Sequence, residues 1–306
     1  MTALLPRGSV SEVAQPANHR PVSAGGSTRA QVLFDDGRGV TLVQVTLNTR
    51  TPVPLCPDSA YHPYSECTHT TQSGGAQLSV DISPVTDTTP SAVKRWTALY
   101  TAPDGRQVFV SETNARTEKD TAPTRSVPPL STKRLAAIAA SGTWKRYLSA
   151  LPAPSAPPSV GRKISAQQIT DTLQRLVPKR MSVSDPQGSD GFGHVVLNDG
   201  HGPSLVAMNV QSWKPGDPRI RQLFHGARTL SDGTRITTSE KPPALGGKGA
   251  IERTVDTLRE DGLRVVVSSD NARAYGIPAT RENPALSIFQ LQEIALDPSW
   301  RQLLPE

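Results

Sequence analysis

Apolar positions along the chain recur with two periods. Ile169, Leu173, Leu176 and Val177 follow the i, i+4, i+7, i+8 stripe of an amphipathic helix that Pro178 ends. Ser165 and Gln168 form a capping box in front of it, and Ile164 with Ile169 supplies the hydrophobic staple. Elsewhere the alternation is that of strands: Val43, Val45 and Leu47, or Leu78, Val80 and Ile82 between Ser79, Asp81 and Ser83, the latter reading as a strand with one wet face. Asp-Gly dipeptides at Asp36-Gly37, Asp104-Gly105, Asp199-Gly200, Asp232-Gly233 and Asp261-Gly262 mark tight hairpins, and hairpins imply an antiparallel sheet.

This pattern occurs twice. The segment Val32 to Gly39 (VLFDDGRG) returns as Val195 to Gly202 (VVLNDGHG), and Val43, Val45, Leu47 return as Val206, Met208, Val210, all displaced by 163 residues. Asp104-Gly105, Val108 to Ser111 and Asn114-Ala115-Arg116 return 157 residues later as Asp261-Gly262, Val265 to Ser268 and Asn271-Ala272-Arg273. Thr124-Arg125, Leu130-Ser131, Leu135, Trp144 and Leu148 return after 156 as Thr280-Arg281, Leu286-Ser287, Leu291, Trp300 and Leu304. A period of this length is a whole domain. The expected fold is therefore α+β: two tandem homologous domains, each an antiparallel sheet of about six or seven strands with an N-terminal and a C-terminal helix. The first repeat covers 1–152, a Pro-rich linker 153–163, and the second repeat 164–306. Trp144 and Trp300 read as plugs of helix onto sheet. Leu5-Pro6 aligns with Val177-Pro178, so the first helix of the first repeat is expected to be truncated, with an export signal or anchor upstream of Met1; a true start at Met1 would make the chain cytoplasmic.

Composition narrows the class. Among 306 residues, 28 Pro and 23 Gly favour turns over long helices, and no run approaches the length of a membrane span. The 33 basic residues against 27 acidic give +6, with Arg (24) far ahead of Lys (9). Basic residues come in isolated pairs, without the concentrated patch that nucleic-acid binding requires; a weak attraction to anionic envelope polymers is the milder reading of the charge.

Chemistry is sparse. No G-x-S-x-G, H-E-x-x-H, C-x-x-C or P-loop pattern occurs, and Leu245 to Gly249 reads as a loop. No catalytic, cofactor or metal residues are assigned. Asp35-Asp36 and Asn198-Asp199 lack the spacing of a Ca²⁺ loop and read as turns. Cys56 and Cys67, with ten residues between them in a Pro-, Ser- and Tyr-containing loop, fit a disulfide; free thiols, or a Cys2His2 set with His62 and His69, are the alternatives. The duplication itself singles out Asn114, Arg116 and Arg125 with Asn271, Arg273 and Arg281, either as strand-end caps and ion pairs or as a polar-polymer contact on each domain.

The V-L-F-D-D-G-R-G and N-D-G-H-G segments, the W-x-x-x-L closing helices and the Cys56/Cys67 loop resemble secreted or membrane-anchored cell-envelope proteins of high-GC Gram-positive, actinobacterial type that carry two such domains. The resemblance covers nearly the whole chain and implies an extracytoplasmic home and no particular activity. The expected function is a non-catalytic extracytoplasmic binding or interaction protein, with an envelope hydrolase retaining one degenerate copy, or a lipid-binding carrier, as alternatives.

Overall fold

A computed structural model describes residues 1–12, 27–49, 55–85, 93–120, 122–152 and 164–304. The linker expected at 153–163 lies outside the described residues. The chain divides into two compact units, Met1–Pro57 with Tyr64–Pro158, and Asp58–Pro63 with Ser159–Glu306.

The first unit is built on strands β1 (Ser9–Glu12), β2 (Ser27–Asp35), β3 (Thr41–Asn48), β4 (Glu66–Thr71), β5 (Gln77–Pro84), β6 (Lys94–Thr101) and β7 (Gln107–Thr113), in the spatial order β1-β2-β3-β7-β6-β5-β4. Helices α1 (Thr132–Ala139) and α2 (Lys145–Ala150) close it. The second unit opens with α3 (Ala166–Leu176) and continues through β8 (Ser182–Ser189), β9 (Phe192–Asn198), β10 (Pro203–Ser212), α4 (Pro218–Leu223), β11 (Arg228–Thr229), β12 (Arg235–Lys241), β13 (Glu252–Leu258) and β14 (Leu263–Asp270) to α5 (Ile288–Leu296) and α6 (Ser299–Gln302). Its order is β8-β9-β10-β14-β13-β12-β11, and every pairing in both sheets is antiparallel.

Each strand of one sheet has a counterpart seven strands later, down to the register. At the centre, Val43, Val45 and Leu47 face Glu112, Val110 and Val108; in the second unit Val206, Met208 and Val210 face Ser269, Val267 and Val265. The two α+β domains in tandem are thus one plan used twice, as the repeated segments imply.

Each core lies between one sheet face and the helices. The closing tryptophans are buried, and each indole N–H donates to a carbonyl six residues back, Trp144 to Ile138 and Trp300 to Ile294, both at 2.6 Å. That bond satisfies the one polar atom of the ring while its carbon surface packs on the sheet. The capping boxes at Ser165/Gln168 and Ser287/Gln290 are formed, and Ser131 caps α1 with its side chain alone because Arg134 stands at the third helical position. Helix α3 seats Ile169, Leu173 and Val177 in the core, so close to β9 that a Cβ on Gly193 would lie 2.8 Å from Ile169 Cγ2. Ahead of β1, Thr2–Leu4 form a single 3₁₀ turn, and Leu5 is buried. Helix α4, signalled only by Asp217 before Pro218, was not expected; the carboxylate caps the Arg219 N–H and Pro takes the first helical position.

One strand corrects the sequence reading. In β5 the polar row Ser79, Asp81, Ser83 is the buried one, and Leu78, Val80, Ile82 are only half-buried. The polar row is accommodated because Asp81 accepts from Ser65 Oγ and Ser83 Oγ donates to the Arg95 carbonyl.

Trp300→Ala is expected to cost about 3–5 kcal/mol, by loss of burial and an unfilled cavity, whereas Phe289→Ala on the 67% exposed face of α5 should change stability by less than about 0.5 kcal/mol. Chemical denaturation of the two variants measures the difference.

Candidate functional site

The duplicated polar set lies at the loop that follows each last strand. Asn114 Oδ1 accepts from the Lys94 N–H (2.8 Å) and its Nδ2 donates to the Arg125 carbonyl (2.9 Å). Asn271 does the same with the Ile251 N–H (2.7 Å) and the Glu282 carbonyl (3.1 Å). Both amides are buried. Arg125 pairs with Asp36 at 2.7 Å, and Arg281 with Asp199 at 2.8 and 3.0 Å, tying the loop to the tip of the β2–β3 or β9–β10 hairpin. Arg281, hydrogen-bonded to Asp199, holds that carboxyl far below the ordinary aspartate range. Burial works to raise the Asp36 pKa, but the hydrogen bond and charge of Arg125 outweigh it and the net shift is downward. Arg116 is exposed, and Arg273 donates to the Pro63 carbonyl at 2.6 Å.

A second cluster lies wholly in the second unit, on the sheet face opposite the core. There Phe192, His194 and Val196 alternate outward from β9, next to Leu205 and Ala207 of β10 and Ser268 and Asp270 of β14. Residues Asp58–Pro63 lie on this face. Ala60 packs with Val196, Leu205 and Tyr275, the Tyr275 N–H donates to the Ala60 carbonyl at 2.8 Å, and the Ser59 N–H donates to Gln187 Oε1 at 3.1 Å. Tyr61 stacks at a tilt on Tyr275 (5.0 Å between centroids) and on Phe192 (6.2 Å).

The polar centre of the cluster is the hydrogen bond between His194 Nε2 and Asp58 Oδ1 at 2.7 Å. Burial pushes the Asp58 pKa upward, but the hydrogen bond and charge of His194 and the Ala60 N–H outweigh it, leaving the carboxyl below its usual value. His194 has no exposed surface, and its Nδ1 has no hydrogen-bond partner among the described residues; nor has the buried Oγ of Ser59. A serine nucleophile needs its hydroxyl bonded to the base, and here the two atoms are not bonded.

Asp270, 2% exposed, has neither carboxyl oxygen hydrogen-bonded among the described residues. Burial, reinforced by the charge of Glu252 directly across the strand pair, pushes its pKa up to about 8. Burial and the neighbouring Asp270 likewise raise the Tyr275 hydroxyl. In the first unit the comparable group is Glu112, raised to about 9 by burial although it accepts from the Leu130 N–H at 3.1 Å. Ser269 Oγ, its counterpart in the register, accepts from the Leu286 N–H at 3.4 Å in the same way.

Cys56 and Cys67, which flank Asp58–Pro63 in sequence, form a disulfide with Cα atoms 5.7 Å apart. Among the described residues, no group of three or more His, Cys, Asp or Glu side chains is placed to hold a metal ion. No described helix is long and apolar enough to cross a membrane. The sequence reading passed over His194, Asp58 and Asp270. His194 stands at a strand position whose outward direction follows from alternation, but its partner is 136 residues away and nothing local links them.

No family model matches this chain, and no curated protein matches it. Similar solved structures include the MucA/MucB complex of Pseudomonas aeruginosa (11% identity, 84% of each chain, TM-score 0.17). Others are DynU16 from the dynemicin biosynthetic locus (10% identity, 97% of this chain and 96% of that chain, TM-score 0.19) and MucB bound to MucA(peri) (11% identity, 84% of each chain, TM-score 0.17). At TM-scores this low, none of the three bears on the function of this chain.

The Asp270 site yields a pH test. Its folded pKa lies above the unfolded value of about 3.9, so the carboxyl's contribution to stability is complete below pH 4 and is lost as the pH rises toward 8. Asp270→Asn should therefore gain on the native chain with rising pH, by several kcal/mol (up to about 5) between pH 4 and pH 8, as measured by urea denaturation. Parallel stability curves for the two proteins would mean that the carboxyl is not buried as described.

Proposed function

We propose that the chain is a non-catalytic binding protein of the extracytoplasmic space, built from two homologous α+β domains and directed at an envelope polymer or another envelope protein. The observation that carries this reading is the closure of the His194–Asp58 pair. Where His194, Asp58 and Ser59 come together, the histidine is fully buried, the serine is not bonded to it, and the carboxylate is used to hold Asp58–Pro63 on the sheet. A hydrolase would need these groups open to substrate and joined to each other.

The disulfide supports the compartment. Such a bond persists in oxidising surroundings and is rare where thiols are kept reduced. A lipid carrier needs an enclosed apolar volume, whereas the pocket beside α4, about 440 Å³, is open and mixes Arg221, Gln222, His225 and Arg235 with Phe224 and Ala227. Two linked domains give a second binding event the benefit of high effective concentration on a repetitive target, which gives duplication a use.

Trapping thiols with maleimide-polyethylene glycol in intact native cells, before lysis, tests the compartment. The expected result is no mass increase until the sample is reduced, together with a loss of about 2–3 kcal/mol of stability on reduction. Two freely reacting thiols in untreated cells would overturn the extracytoplasmic reading.

A further inference from the structure

Among the described residues four strands end the two sheets, and three of them are poor templates for further pairing. Strand β1 has four residues and β11 has two, while β8 is broken by a register shift between Ser184 and Gln187, with Asp185 at φ +51° and Pro186 inside it. Short length, bulges and proline are the usual ways of blunting an edge. Strand β4 has none of them. It runs six residues in unbroken register with β5, from Glu66↔Ile82 to Thr71↔Gln77, and all of its residues except Cys67 are exposed. Its counterpart by strand order, β11, is a third as long.

Beside this edge, between it and α1, lies an open groove of about 440 Å³. Val80, Ile82 and Ala136 line it, with Glu66 and Thr68 on the strand side and Lys133 on the helix side. Register identifies the equivalent positions of the second unit. Val80 pairs through Ala98 to Val110, as Thr238 pairs through Val255 to Val267, so Val80 corresponds to Thr238 and Ile82 to Glu240. Both positions in the second unit are polar and exposed, and Glu240 is ion-paired to Arg253. The first unit thus carries branched apolar side chains where the same fold elsewhere carries Thr and Glu, and it does so next to the one long, regular edge. Glu66 and Lys133 are both exposed, and neither has an ion-pair partner among the described residues.

We propose that β4 and this groove bind an extended peptide by strand addition. The peptide backbone pairs with the outer edge of β4, unpaired among the described residues, alternate side chains long enough to cross Thr68 (Phe or Met) reach over it into the groove at Val80 and Ile82, and a basic and an acidic side chain meet Glu66 and Lys133. Strand addition takes affinity from main-chain hydrogen bonds and specificity from alternate side chains, and this surface offers both, with opposite charges at its rims. The proposal rests on the reading of the chain as a binding protein and names the partner's chemistry.

The probes are two fluorescein-labelled octapeptides of alternating Phe and Thr, one with Lys first and Glu last and one reversed, each also made with N-methyl groups at alternate residues. Fluorescence anisotropy with the full chain should show saturable binding of one unmethylated peptide, with a Kd on the order of 10 μM, and no binding of its methylated form. The double variant Val80→Thr, Ile82→Thr removes the apolar row without setting a second carboxylate opposite Glu66, so it should stay folded, with its melting temperature lowered by only a few degrees, and weaken binding at least about tenfold. Equal affinity of the double variant, or no saturation up to about 1 mM, overturns the proposal. So does sedimentation showing a dimer that the double variant loses, because the occupant would then be a second copy. Mass spectrometry of the recovered peptide separates the two readings: cleaved peptide would defeat the non-catalytic function and leave the groove standing, and intact but unbound peptide would do the reverse.

Discussion

A seven-stranded antiparallel sheet has two faces and two edges to protect, and the burial of one face beneath a capped helix is the interaction on which each unit of this protein depends. Leu135 and Ile138 of α1, or Leu291 and Ile294 of α5, press on the central strands, and the following tryptophan locks the helix by filling the remaining space while its N–H finds a carbonyl of the same helix. A residue of this size brings roughly 200 Å² of surface out of water, about 5 kcal/mol at the usual coefficient, which is comparable with the whole net stability of many domains. The central registers, the Asn and Arg ties of the following loop and the hairpin geometry are then fixed relative to that core.

Once the core face is settled, the two units diverge in what they do with the other face and the edges. The second unit adds Asp58–Pro63 on its outer face and uses a hydrogen bond from a half-buried carboxylate to a buried histidine and a row of aromatic rings to hold it. A partly buried pair of this kind is poor at adding net stability, since desolvation offsets most of the attraction, but it is costly to break and so specifies one position for the segment. The first unit keeps a long bare strand with an apolar row beside it. One template thus carries a covered face of mixed polarity in one copy and an open edge in the other, and the proposed peptide site lies on the second of these.

Most of the fold was legible in the sequence because it is set by local signals written twice. Alternation, Asp-Gly turns and capping boxes each act over a few residues, and their repetition separated signal from chance. Strand β5 was misread because alternation reports two faces and does not say which is the wetter; Ser65 and the Arg95 carbonyl, which settle the matter, come from other parts of the chain. The roles of Asn114, Asn271, Arg125 and Arg281 follow from their matched positions, since a cap and its ion pair are needed wherever the same loop is built. His194 with Asp58, and Asp270 with Glu252, stayed hidden for the same reason as the Val80 groove: each depends on a pairing across strands or across the length of the chain, which no window of sequence contains.

The most direct measurement of this account is amide hydrogen exchange on the full chain at single-residue resolution. Protection should peak in the paired centres, residues 43–47 with 108–112 and 206–210 with 265–269, and decline toward both edges in the order of each sheet, with alternate amides of residues 66–71 exchanging fast. Slow exchange at every amide of 66–71, or a different ranking of strands in the two units, would contradict it.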